Sequence, residues 1–120
     1  MLTVSDSLRL SEEEKVFQAQ PRFSIMYLLF LKRRVGFIQL AQLLSLTPGN
    51  LDHHIRRLEE TGLVQSRRVM SWKPLVVVEI TAEGVEAFRE YVSKLKQFLK
   101  DLPGKPPREQ EAREQQESDA

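Results

Sequence analysis

Two histidines and two arginines stand close together in the stretch TPGNLDHHIRRLEETGLV, Thr47 to Val64. Side chains of these types could ligate a metal, move protons or hold an anion. A metal site on one helix calls for ligands at i and i+4. Here His53 leads to Arg57 and His54 to Leu58, and no carboxylate stands four residues from either histidine. The chain has no cysteine, which removes thiolate metal sites, thiol redox chemistry, disulfides and a cysteine nucleophile. The serines and acids show no nucleophile elbow or triad spacing. No metal, no cofactor and no enzymatic activity is therefore expected. Anion recognition is what remains.

The element that must carry these groups is a short amphipathic helix. Thr47 stands at the N-cap and Pro48 at the first helical position, where a missing N–H costs nothing. At about 100° per residue, Leu51, Ile55 and Leu58 share one face, and Gly62 can supply the left-handed residue that stops the helix. The opposite face carries Gly49, His53, Arg56, Arg57 and Glu60, with Asn50 at one edge. His54 lies only about 60° from the apolar centre, so it is expected to pack at the boundary rather than to read a ligand.

The neighbouring segments supply the frame. SEEEKVFQA predicts a short helix capped by Ser11, and Pro21 ends it or starts the next. PRFSIMYLLFLKRR is apolar nearly all round and predicts a buried helix. VGF is a short extended piece, and IQLAQLLS a compact helix with Leu40, Leu43 and Leu44 inward. LVQSRRVM and PLVVVEIT, joined by SWK, predict a hairpin, and Thr81 caps a last helix from Ala82 to about Leu102. Three helices with a hairpin at one edge make a winged helix-turn-helix. The fold class expected is thus α+β, mostly helical, a winged helix-turn-helix with a long C-terminal dimerisation helix. Residues 1–20 form an N-terminal extension, 21–81 the winged helix and 82–102 the dimerisation helix. The proline- and charge-rich 103–120 are expected to be disordered.

Length and charge agree with this division. At 120 residues and 41 % hydrophobic content, the chain suits one globular domain. No apolar run approaches the roughly 20 residues that span a bilayer, and no signal-peptide pattern opens the chain. No membrane partner and a cytoplasmic location are expected. Residues 21–80 hold nine basic against four acidic side chains, although the whole chain is only +1. A basic middle suits a polyanion.

Presented from the second helix of a helix-turn-helix, Gly49, Asn50, His53, Arg56 and Arg57 would meet base edges in a major groove and phosphates beside it. Arg67 and Arg68 on the first wing strand, with Trp72 and Lys73 at the tip, would touch the backbone or minor groove of double-stranded DNA. For Trp72 a second role stays open, that of an anchor pinning the hairpin to the body. In the last helix, Val85, Phe88, Val92, Leu95, Leu99 and Leu102 follow a 3-4-3-4-3 spacing, a heptad seam. Its distal part (Val92, Leu95, Leu99 and Leu102, with Phe98 on one flank) is expected to form a homodimer interface. An alternative use of the same fold is a protein-interaction module of a transcription or assembly complex.

From Arg22 to Tyr91 the sequence resembles winged-helix transcriptional regulators of the MarR/ArsR type, in their compact archaeal and bacterial branch. The resemblance rests on LTPGNLDHHIRRLEETGLV and on KPLVVVEITAEGVEAF with its Thr-x-x-Gly helix start. It implies a homodimeric DNA-binding regulator in which the positions of Thr47, Gly49, Asn50, His53 and Arg57 face DNA. Two departures stand out. Ile38 occupies a position where relatives usually carry a capping Ser or Thr, and Ser71 and Trp72 stand where relatives often carry Gly-Arg before the wing Lys-Pro. Metal sensing, which needs cysteines or His/acid clusters, does not carry over, and no effector is indicated.

Overall fold

Two α-helices begin where a capping threonine stands, Thr47 and Thr81. The computed structural model describes residues 8–70, 72, 73 and 75–102; the expected disordered stretch 103–120 lies outside them. A 3-10 turn at Glu14–Gln18 precedes α1 (Gln20–Lys32), β1 (Arg34–Gly36), α2 (Phe37–Leu44), α3 (Pro48–Glu60), β2 (Val64–Val69), β3 (Leu75–Ile80) and α4 (Ala82–Asp101). The strands form one antiparallel sheet in the order β1-β3-β2. VGF thus becomes, in part, a third strand on the free edge of the hairpin, while Phe37 opens α2.

The expected N-terminal helix is only a 3-10 turn. Ser11 does fasten it: the Glu14 N–H donates to Ser11 Oγ at 3.1 Å and the Ser11 N–H donates to Glu14 Oε1 at 3.2 Å, a capping box. Pro21 starts α1 rather than ending the turn. The Thr47 hydroxyl accepts the Asn50 N–H at 3.1 Å, and the Thr81 hydroxyl accepts the Gly84 N–H at 2.9 Å. No side chain caps α2, whose N-cap is Gly36.

Helix ends are equally local. After α3, Gly62 (φ +75°) turns the chain while its N–H bonds to Glu59 O at 2.9 Å and the Leu63 N–H to Leu58 O at 3.0 Å. This is a Schellman stop, completed by apolar contact between Leu58 and Leu63. Ser45 (φ +54°) does the same after α2, with Ser45 N–H to Gln42 O and Leu46 N–H to Ala41 O. The tight connection between α2 and α3 is thereby set.

Leu51, Ile55 and Leu58 of α3 enter the core with Ile25, Met26 and Leu29 of α1, Leu40 of α2, Val78 of β3 and Phe88 of α4. Phe17, from the 3-10 turn, packs its ring 5.7 Å from Phe88 and 5.2 Å from Tyr91. Gly84 permits the first turn of α4 to press against the strand entrance: a Cβ there would collide with the Leu63 carbonyl oxygen and crowd Ile80. The Thr81 hydroxyl adds a 2.7 Å bond to Gly62 O. The start of α4 is thus clamped to the end of α3.

Three expectations are corrected. α1 is not buried all round, since Tyr27 and Leu31 are 51 % and 60 % exposed; the body buries Ile25, Met26 and Leu29 and half-covers Phe23, Leu28 and Phe30. Leu43 is exposed because the buried centre of α2 lies between Leu40, Ala41 and Leu44, about 110° away. Leu95 and Val92 are not free seam positions: both are half-buried against the chain's own core. Phe98 is half-buried near Leu8 and Lys94, whereas Leu99 and Leu102 are exposed.

Candidate nucleic-acid interface

The amphipathic pattern of α3 leaves Gly49, Asn50, His53, Arg56 and Arg57 exposed together on one side. Nothing lies within 4 Å of where a Gly49 Cβ would stand. Backbone can therefore approach a ligand closely there, at the electropositive helix start. Thr47 is exposed too; its oxygen serves the cap, and its hydroxyl proton remains available as a donor.

Both arginines are held by their own helix. Arg56 Nε lies 2.8 Å from Asp52 Oδ2, and Arg57 Nη1 lies 3.3 Å from Glu60 Oε2. These are exposed pairs, which contribute about 0–1 kcal/mol, so a phosphate or a guanine edge can compete for either guanidinium. Arg56 leans towards the wing, lining with Asp52, Glu59, Ser66 and Val76 a groove of about 570 Å³ between α3 and β2–β3. The Ser66 hydroxyl donates to Glu59 Oε1 at 2.8 Å across it, fixing the wing beside the helix.

The wing residues divide by register. Val64, Ser66 and Arg68 pair with Ile80, Val78 and Val76, while Gln65, Arg67 and Val69 pair with Glu79, Val77 and Leu75. Alternation puts the first set on the face that meets the body. Arg68 therefore extends the α3 side of the wing, and Arg67 lies on the other, 3.0 Å from Glu79 Oε2 in an ion pair not aligned as a hydrogen bond. Trp72 is 93 % exposed. That removes the anchor role, because the ring touches no body that could hold it. Lys73 is exposed beside it, and Met70 is 81 % exposed.

His53 and His54 differ as their positions on the wheel require. His53 is exposed and His54 half-buried, with ring centroids 5.2 Å apart. Burial lowers the His54 pKa, and the nearby charges of Arg22 and His53 lower it further. Arg22, near the start of α1, is the member of this neighbourhood that the sequence pattern does not single out. Its Nη1 lies 3.5 Å from His54 Nδ1 and its Nε donates to Val16 O at 2.8 Å. The contact joins residues 32 apart, for which periodicity within α1 carries no signal. Among the described residues, no group of three His, Cys, Asp or Glu is placed to hold a metal ion, and no helix is long and apolar enough to cross a membrane.

Comparison with known proteins agrees with this geometry. Residues 22–99 match the family described as winged helix DNA-binding domain. The chain is 34 % identical over 89 residues to an uncharacterized protein of Methanocaldococcus jannaschii, covering 73 % of this chain and 97 % of that one. It is similar to the solved transcriptional regulator homologue of Pyrococcus horikoshii OT3, with a TM-score of 0.72 and 39 % identity over 80 % of this chain and 95 % of that chain. The fold alone is shared with the heme sensor PefR of Streptococcus agalactiae, with a TM-score of 0.69 and 12 % identity over 92 % of this chain and 74 % of that one. The winged-helix part of the resemblance is borne out: the matches are to a winged helix DNA-binding domain and to a transcriptional regulator homologue. With α3 seated on α2, a three-stranded wing beside it and the family match running from α1 to the distal turns of α4, the chain belongs to the winged helix DNA-binding domain family.

Proposed function

We propose that this protein is a homodimeric, sequence-specific DNA-binding transcriptional regulator of the cytoplasm that represses by occluding its site. The observation that carries this is α3: its inner face is fully buried, and its outer face presents Gly49, Asn50, His53, Arg56 and Arg57 with nothing among the described residues covering them. In this reading α3 enters the major groove, Thr47 and the helix start meet a phosphate, and Arg67, Arg68, Trp72 and Lys73 of the wing meet the backbone or minor groove. The Pyrococcus relative, described as a transcriptional regulator homologue, supports regulation as the use of that binding. Repression by occlusion follows from economy, since the described residues form no further module beyond the winged helix and α4.

The dimer reading rests on exposed apolar side chains. Leu99 and Leu102 at the end of α4 and Tyr27 and Leu31 on α1 face solvent, and a second copy would cover such surface. Titration of duplex DNA at several salt concentrations tests the function. Binding that falls steeply with salt supports it. The exposed wing tip at Met70 and Trp72 favours a second reading, a protein-interaction module, which would show salt-insensitive partner retention and no DNA binding.

A further inference from the structure

The cluster of Arg22, His54, His53 and Arg57 lies on the flank of α3 away from the wing. Arg22 is the only member contributed by another element, and it reaches this flank because its Nε is tied to Val16 O at 2.8 Å while Nη1 stands 3.5 Å from His54 Nδ1. The cluster gathers like charge. Burial lowers the Arg22 pKa, and the charge of Arg57 lowers it further. Among the described residues, Arg22 makes no ion pair: its partners are a carbonyl and an imidazole. Arg22 is half-buried with no carboxylate beside it among the described residues, whereas the exposed Arg57 has Glu60; a cation placed as Arg22 is costly to hold, and a bound anion offsets that cost.

A helix in the major groove has a phosphate wall on each side, the groove being about 12 Å wide. The wing, with Arg68 and Lys73, stands on one side of α3. The Arg22–His54 pair stands on the other. From these relations we infer that Arg22, backed by His54, is a binding site for a backbone phosphate of duplex DNA, on the strand opposite the one met by the wing. The inference rests on the reading of α3 as the groove-entering helix. Val16 O fixes the guanidinium before the ligand arrives, which reduces the ordering cost of the contact. His54 closes the site from α3, so the phosphate bridges α1 to the recognition helix and fixes the depth at which that helix sits.

The test compares wild type, Arg22→Gln, Arg22→Lys and His54→Gln on duplex DNA selected for binding, over a range of salt. Arg22→Gln should make the slope of log K against log salt shallower by about 0.9, one phosphate's worth. Arg22→Lys should restore most of that slope. His54→Gln, which leaves the Val16 bond in place, should weaken binding less. Thermal melts report whether Arg22→Gln has lost the fold along with the Val16 bond. Should it have done so, wild-type protein on duplexes with single methylphosphonate substitutions decides, since one neutralised phosphate on the strand away from the wing must reduce the slope equally. An unchanged slope for a folded Arg22→Gln, or no sensitive phosphate on that strand, overturns the site. Failure of wild type to bind any duplex refutes the α3 reading instead, and the two failures are told apart by that control.

Discussion

Lys94 Nζ lies 2.6 Å from Glu14 Oε1, joining α4 to a segment eighty residues earlier in the chain. Burial alone would raise the Glu14 pKa, but the hydrogen bonds from Lys94 and Ser11 outweigh it and hold the carboxyl below its usual value. Lys94 also donates to Arg9 O at 3.1 Å. The N-terminal segment is thus strapped across the middle of α4, beside the Phe17, Phe88 and Tyr91 rings.

Lys94→Ala leaves a buried carboxylate without its counter-ion and should cost about 1–3 kcal/mol. Adding Glu14→Gln should recover part of the loss, because the uncompensated charge is gone. Urea unfolding of both variants measures this. A double variant less stable than Lys94→Ala by the full cost of Glu14→Gln would show the two groups to be independent.

A pH dependence follows from His54. Its pKa in the folded chain is lowered by burial and then by Arg22 and His53, so the unfolded chain binds the proton more readily. Stability from this group is fully present above the unfolded value of about 6.5 and is lost as pH falls through the window below it. Melting temperature should therefore drop as pH falls below about 6.5, and His54→Gln should flatten that part of the curve. An identical drop in the variant would assign the effect to other groups.

How far the sequence could be read depends on the range of the physics involved. Thr47, Pro48, Gly62 and Thr81 declare their elements because caps and stops act within one turn. The α3 inner face was legible because Leu51, Ile55 and Leu58 repeat at the helix period. What was not legible came from contacts between elements. An all-round apolar α1 looks buried, although only one side meets the body and Tyr27 and Leu31 stay outside. The heptad spacing of α4 is satisfied equally by a second copy and by the chain's own core, and the core claims Val92 and Leu95. Arg22 joined the candidate site only when α1 and α3 were seen side by side.

Arg57 and Glu60 offer a paired test of the recognition face. Arg57→Ala should leave folding within about 0.5 kcal/mol and lose about 1–3 kcal/mol of binding to a selected duplex. Glu60→Gln frees Arg57 from its 3.3 Å partner and removes a negative charge near DNA, so it should bind more tightly. Equal affinity for Arg57→Ala and wild type would take Arg57 out of the reading set.

The distal α4 residues separate dimer from monomer. Leu99 and Leu102 are 63 % and 49 % exposed, so changing both to Glu should leave the fold of one copy nearly intact while placing like charges at the proposed pairing surface. Sedimentation should show a monomer that retains weak, salt-sensitive DNA affinity. A persistent dimer would move the interface elsewhere, with the Tyr27 and Leu31 face of α1 the next candidate.

The central claim is that two copies of α3, held at a fixed spacing, read DNA. Selection of bound sequences from random duplexes tests it most directly. The account predicts enrichment of a two-fold symmetric motif with half-sites about one helical turn apart or a multiple of it, lost in the Leu99→Glu, Leu102→Glu variant. Recovery of no motif, with retention no greater than for unselected duplex, would contradict it.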